Sequence, residues 1–89
     1  MWWILIEANH GSSDYKEWLV TETFQVTGDR SLARDKAEQM ARTYTPQHPT
    51  FPQKRWVLKV NDDHWMTIVQ GATRAYHFRV TVAELVHEE

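Results

Sequence analysis

The clearest hydrophobic pattern of the chain is a period-two alternation in its C-terminal third. Residues 56–61 and 75–80 each divide into two sets at alternate positions, one of them mostly apolar. Alternate residues of a pleated strand point to opposite faces of the sheet, so both stretches predict strands. Between them, the turn-forming residues 61–63 precede residues 65–69, which are apolar almost throughout and predict a third strand.

The N-terminal part of the chain predicts two more strands, over residues 2–8 and 17–26. The alternation in the second of them assigns one face to Trp18, Val20, Phe24 and Val26, and the other to Leu19, Thr21, Thr23 and Gln25. Glu22 falls on the otherwise apolar face. Burying a carboxylate without a partner is costly, so Glu22, like Glu7 of the first strand, is expected to reach solvent or to pair with Arg or Lys.

Residues 30–43 have the spacing of an amphipathic helix. Its apolar stripe is narrow and consists mostly of small residues: Ala33, Ala37, Met40, Ala41 and Tyr44. Small side chains allow the helix to lie close against a sheet whose own side chains are large. Asp29 or Ser31 is suited to cap its N-terminus.

The last strand is followed by a pattern that is typical of a helix start. Thr81 and Glu84 have the spacing of a capping box, and Val80 and Leu85 have that of a hydrophobic staple. The pattern predicts a short C-terminal helix over residues 82–87.

Together these elements predict one α+β domain over residues 1–89, with the order β-β-α-β-β-β followed by the short C-terminal helix. The sheet is expected to be mainly antiparallel and curled. A chain of 89 residues buries only about two thirds of its unfolded surface, so the core must be dense. The five tryptophans are interpreted mainly as filling of that core.

Composition narrows the classes of function. The net charge is −2 with both signs scattered, so no basic surface for nucleic acid is evident. The chain has no cysteine, which excludes disulfides, thiol catalysis and thiolate zinc sites and fits an intracellular, cytoplasmic protein. The apolar residues 1–6 are too few for a signal peptide or a membrane span, so no membrane association is expected.

No motif of catalytic or metal chemistry stands out. The five histidines show no paired spacing, so no metal site is expected. The run Asp62, Asp63 and His64 falls between two strands and is interpreted as a turn. Residues 12–16 carry no phosphate-binding pattern. We therefore expect neither an enzyme nor a bound cofactor.

Pro46, Pro49 and Pro52 recur at every third residue. This spacing fits one edge of a polyproline II helix, which aromatic-lined grooves bind. The favoured interpretation is a stiff connector between the helix and the third strand.

Two strands, residues 2–8 and 65–69, are apolar on both faces, which one helix can hardly cover. Either the sheet curls strongly around these strands, or its second face meets another chain. The leading hypothesis is a non-enzymatic protein-interaction domain that binds a protein partner or a second copy of itself. The candidate contact residues are Trp2, Trp3, Met66 and Ile68.

Two alternatives follow from the aromatic residues. A small molecule would bind in a concavity between the sheet and the helix, lined by Trp18, Phe24, Trp56, Tyr76 and Phe78. Single-stranded nucleic acid would use basic residues near aromatic ones, namely Arg55, Lys59, Arg74 and Arg79. The net negative charge argues against the second alternative, and no nucleic-acid partner is expected.

Three segments, residues 26–30, 71–73 and 76–85, resemble a group of small actinobacterial proteins of uncharacterised function. The resemblance covers most of the chain from the second strand onward. Because that group carries no assigned activity, it implies no catalytic or binding residue here.

Overall fold

The computed structural model describes residues 1–10, 17–45, 52–72 and 74–89. The expectations that concern residues 12–16, the prolines Pro46 and Pro49, and His48 fall outside these residues, as does the side chain of His10.

The described residues form one helix and one five-stranded antiparallel sheet, which confirms the α+β class. Along the chain the elements are β1 (Trp2–His10), β2 (Glu17–Val26), α1 (Arg30–Thr43), β3 (Lys54–Asn61), β4 (His64–Gln70) and β5 (Ala75–Glu84). Across the sheet the order is β2-β1-β5-β4-β3, which differs from the order along the chain. The hairpin of β1 and β2 is thus joined to the three C-terminal strands by pairing of β1 with β5.

Helix α1 begins and ends where the periodicity predicts. Asp29 is its N-cap, and the Asp29 Oδ1 atom accepts a hydrogen bond of 2.9 Å from the Leu32 backbone N–H. Gly28 precedes the cap at a φ of 133°, a backbone conformation that residues with a side chain rarely adopt. The chain can therefore turn sharply from β2 into the helix.

The core lies between α1 and one face of the sheet. The buried stripe of the helix consists of Ala33, Ala37 and Ala41, none of which is exposed. The largest fully buried side chains come from β1, β4 and β5: Phe78, Ile4, Ile6, Val69, Val80 and Thr67. Small residues on the helix therefore face large residues on the sheet, as the sequence predicts.

Thr67 is a buried polar residue of this core, and its hydroxyl is satisfied. Its Oγ1 atom donates a hydrogen bond of 2.7 Å to the backbone carbonyl of Ala41 in the last turn of α1. The Arg55 guanidinium donates to the same carbonyl at 3.3 Å. Carbonyls at a helix C-terminus lack partners within the helix, so these two bonds fasten the end of α1 to β3 and β4.

The predicted C-terminal helix is wrong. Strand β5 continues through the proposed capping box to Glu84, which pairs with Trp2 of β1. The Leu85 backbone N–H donates to the Met1 carbonyl at 2.9 Å, and residues 85–89 contain no helix. A capping box is a local signal, whereas pairing with β1 supplies several backbone hydrogen bonds and buries Val82.

A β-bulge at Thr21 makes the predicted assignment of β2 side chains to the two sheet faces wrong for the residues that precede it. Ile6 pairs with Glu22, but Glu7 pairs with Val20, so Thr21 is an extra residue in β2. The bulge places Val20 and Trp18 on the sheet face opposite Phe24 and Val26. Glu22 is exposed on this edge strand and so meets solvent.

Asp63, in the turn between β3 and β4, fastens that turn to the first turns of α1. Its carboxylate pairs with the guanidinium groups of Arg30 and Arg34, the latter at 2.8 Å. The Asp63 backbone N–H also donates to Asn61 Oδ1 at 2.8 Å, which confirms the predicted turn. The hydrogen bond from Arg34, and after it that from Arg30, lowers the pKa of the Asp63 carboxyl to about 2.

This depressed pKa predicts acid sensitivity. Because the folded-state pKa lies below the usual 3.8, the contribution of Asp63 to stability is complete above that value and is lost as the pH falls through about 2. Solvent reaches the cluster, so we expect Asp63→Asn to lower the free energy of unfolding by only about 1 kcal/mol at neutral pH, with the difference vanishing in strong acid. Urea denaturation of both chains over this pH range measures the difference in the free energy of unfolding.

Asp62→Asn is the matched control for this prediction. Asp62 is the neighbouring residue and forms only an exposed pair of 3.4 Å with Lys59. Its replacement should leave the free energy of unfolding unchanged within about 0.5 kcal/mol at every pH. Equal effects of the two substitutions would contradict a specific role of Asp63.

Candidate functional site: the helix-free face of the sheet

The sheet surface opposite α1, here called the helix-free face, carries the candidate site. The strand registers arrange its centre in two rows across the sheet, written from β2 to β3. The ion-pair row contains Val20, Glu7, Arg79, Met66 and Leu58. The aromatic row beside it contains Trp18, Asn9, His77, Ile68 and Trp56.

The centre of the ion-pair row is a two-pronged salt bridge. Arg79 Nε donates to Glu7 Oε1 at 3.1 Å, and Arg79 Nη2 donates to Glu7 Oε2 at 3.0 Å. The side chains of Arg79 and Glu7 are only 29% and 19% exposed. A paired geometry of this kind is the strong form of an arginine–carboxylate contact, so both charges are held in place.

An aromatic ring holds the same arginine from a second direction. The Arg79 guanidinium carbon lies 4.1 Å from the centre of the Trp18 ring, a cation–π contact. The ring of His77 lies 5.1 Å from that of Trp18. The bulge in β2 is what places Trp18 on this face.

Apolar side chains flank the charged centre on both sides. Val20 on β2 is 53% exposed, and Leu58 and Trp56 on β3 are 48% and 39% exposed. Between the centre and β3, Met66 and Ile68 are half-buried. Within the described part of the chain no second layer covers these residues, because α1 packs on the other face.

Three buried polar atoms on this face lack a hydrogen-bond partner among the described residues. They are Trp3 Nε1, Asn9 Oδ1 and His64 Nε2. Buried polar groups in folded proteins are nearly always hydrogen-bonded. A fourth such atom, Trp65 Nε1, belongs to the helix-covered side.

The predicted contact residues divide between the two faces. Trp3, Met66 and Ile68 lie on the helix-free face, as their alternation with core residues requires. Trp2 pairs with Val26 and lies on the helix-covered face, where the Arg30 guanidinium is 5.1 Å from its ring.

The residues predicted to line a ligand concavity also divide. Phe24, Tyr76 and Phe78 belong to the helix-covered face, whereas Trp18 and Trp56 lie on the helix-free face. The Tyr44 ring packs edge-to-face with the Phe78 ring at 5.1 Å between ring centres. Burial, and after it the Glu22 carboxylate, raises the pKa of Tyr44. The five aromatic residues therefore do not line one space beneath the helix.

Three of the four basic residues considered for nucleic acid have other partners. Arg55 points to the helix-covered side, where it donates to Ala41 and lies 5.8 Å from the Phe78 ring. Lys59 pairs with Asp62, and Arg79 pairs with Glu7. Arg74 is exposed.

The described residues contain no group of three or more His, Asp or Glu side chains that could hold a metal ion. Their helix, α1, is also too short and too polar to cross a membrane.

Comparison with protein-family models, curated proteins and solved structures gave no match to this chain. Interpretation of the helix-free face therefore depends on the geometry and chemistry of its own residues.

The sequence predicts that Glu7 reaches solvent or pairs with Arg or Lys, but it does not identify the partner, Arg79, which is 72 residues away. The available signal was local: Glu7 ends the apolar run of the first strand, and Arg79 interrupts that of the last. Each of these charged residues needs a partner on its own face of the sheet. Only the pairing register between β1 and β5 shows that the two are partners of each other.

Proposed function

We propose that this chain is a non-enzymatic protein-interaction domain that pairs with a second copy of itself through the helix-free face. The observation that carries the proposal is the exposure of Val20, Leu58 and Trp56 on a sheet face without a second layer among the described residues. A sheet normally buries its apolar face against another element. A second copy supplies that element.

Curling of the sheet does not remove the need for such a layer. The bulge in β2 increases the local twist, yet Val20 remains 53% exposed beside it. At the opposite edge Leu58 is 48% exposed. The two edges of the face thus stay open in the folded monomer.

The chemistry of the face supports a protein partner. Interface cores are enriched in aromatic residues, methionine and arginine and are poor in lysine. The helix-free face presents Trp3, Trp18, Trp56, Met66 and Arg79, and its two central rows contain no lysine.

The size of the face is adequate for a dimer. Five strands at about 4.8 Å spacing span roughly 20 Å, and seven residues at about 3.3 Å extend roughly 23 Å along the strands. The resulting flat area is about 450 Å² per copy, and projecting side chains raise the accessible area above it. Two such faces therefore reach the order of 1,000 Å² that a specific interface buries.

The oligomeric state of the unmodified chain tests this proposal. We expect sedimentation equilibrium at micromolar concentrations to give twice the monomer mass of 10.6 kDa, with dissociation on dilution. Because association stabilises the folded state, the melting temperature should also rise with protein concentration. A monomer at high concentration, with a melting temperature independent of concentration, would exclude the homodimer.

A further inference from the structure

We infer that the two copies pack with their helix-free faces together about a two-fold axis that runs parallel to the strands, midway between β1 and β5. In this arrangement Glu7 of each copy faces Arg79 of the other. The inference rests on the proposed homodimer and specifies its geometry.

The strand order determines which residues meet across such an axis. A two-fold rotation brings each strand of one copy over the strand that lies equally far on the other side of the axis. With the order β2-β1-β5-β4-β3, β1 lies over β5 of the second copy and β2 lies over β4. The strand directions of two aligned sheets differ by about 30°. This angle moves residues far from the axis out of register, but pairs of residues close to the axis still face each other.

Charge selects this axis from its alternatives. An axis midway between β1 and β5 places the Glu7 of each copy against the Arg79 of the other. The salt bridges within the two copies then join into one network of four alternating charges. An axis along β1 would place Glu7 against Glu7, and an axis along β5 would place Arg79 against Arg79. An axis across the strands through the ion-pair row would create both like-charge contacts.

The apolar residues match about the same axis. Val20 of β2 falls opposite Met66 of β4, and Trp18 falls opposite Ile68. Apolar side chains on either side of the charged centre therefore cover one another and keep water from it.

Removing the central charges from water is usually what makes a buried ion pair unfavourable. Here much of that desolvation has already occurred in the monomer. Glu7 and Arg79 are mostly buried, doubly hydrogen-bonded to each other and covered on one side by Trp18. The second copy adds opposite charges to a pair that is already ordered.

Charge exchange tests the axis. Glu7→Arg leaves two arginines at the centre of each chain, and Arg79→Glu leaves two glutamates, so each variant alone should self-associate at least tenfold more weakly than the unmodified chain. An equimolar mixture should form a one-to-one heterodimer, because the four central charges are then complementary. Native mass spectrometry resolves the three species, since the variants differ in mass.

The matched control is the chain that carries both exchanges, Glu7→Arg with Arg79→Glu, which should form a homodimer again. If the mixture shows no preference for the heterodimer while the unmodified chain is a dimer, the axis is wrong and the proposed function stands. If the unmodified chain is a monomer, the proposed function fails as well.

Thiol cross-linking gives a second measurement that leaves the central charges unchanged. The chain has no cysteine, so Val20→Cys and Met66→Cys each introduce a single thiol. A cross-linker matched to the sheet spacing of about 10 Å should join the two variants in a mixture but neither variant to itself, because equivalent strands lie about three strand spacings apart. The control mixture of Leu58→Cys with Met66→Cys should not cross-link, and the reverse outcome would overturn the axis.

Discussion

Phe78→Ala is expected to lower the free energy of unfolding by about 3–5 kcal/mol. Phe78 is fully buried at the centre of β5, where the Tyr44 ring packs against it and Arg55 lies above its ring. Truncation leaves a cavity between the sheet and the end of α1. Since small domains are stable by only about 5–15 kcal/mol, the variant should lose a large part of its stability. Urea denaturation followed by circular dichroism measures the difference.

Phe24→Ala is the matched control, because it removes the same atoms from the edge strand β2. Phe24 is 36% exposed and belongs to the same helix-covered face as Phe78. Its replacement should cost clearly less than half as much, since less apolar area returns to water and no closed cavity forms. Similar losses for both variants would mean that Phe78 is not the centre of the core.

Local patterns were enough to predict the one helix and the five strands that the described residues form. The alanine stripe and Asp29 predicted α1 at its observed bounds, because a 3.6-residue period and an N-cap are properties of neighbouring residues. Strand β2 was likewise predicted at Glu17–Val26. The order of the strands within the sheet depends on pairing between segments that are distant along the chain. The hydrophobic periodicity of one segment contains no information about that pairing.

The two wrong predictions have the same physical origin. The capping box at Thr81 and the regular alternation through Thr21 are local signals that a non-local contact outweighs. In β5 that contact is the ladder with β1, which extends to Glu84. In β2 it is the bulge opposite Ile6 and Glu7. No glycine marks the bulge, so no local residue signal predicts it.

The candidate site was predictable in its apolar part. Trp3, Met66 and Ile68 alternate with core residues, so the sequence alone predicts a second apolar face that either curling of the sheet or another chain would cover. Trp18 was assigned to the wrong set because of the bulge, and the salt bridge between Glu7 and Arg79 required the register. The proposed two-fold charge complementarity of the face therefore depends on the strand register of the folded sheet.

Ile68→Arg is expected to convert the proposed dimer into a folded monomer, with self-association weaker by at least 100-fold, or about 3 kcal/mol. Ile68 lies between His77 and Trp56 in the aromatic row, on β4, which lies between β5 and the edge strand β3. An arginine there would carry a charge without a partner into the apolar contact with Trp18 of the second copy. In the monomer the same side chain meets solvent, so the fold should persist. Sedimentation equilibrium measures the association, and circular dichroism verifies the fold.

Val86→Arg controls for the added charge, because Val86 is 86% exposed and lies beyond the end of β5. It should dimerise like the unmodified chain. The melting temperature separates an interface effect from a folding effect: that of Ile68→Arg should become independent of protein concentration, whereas that of Val86→Arg should keep its dependence. If Ile68→Arg dimerises as tightly as Val86→Arg, the helix-free face is not the interface, and the apolar residues at its edges must contact something other than a second copy.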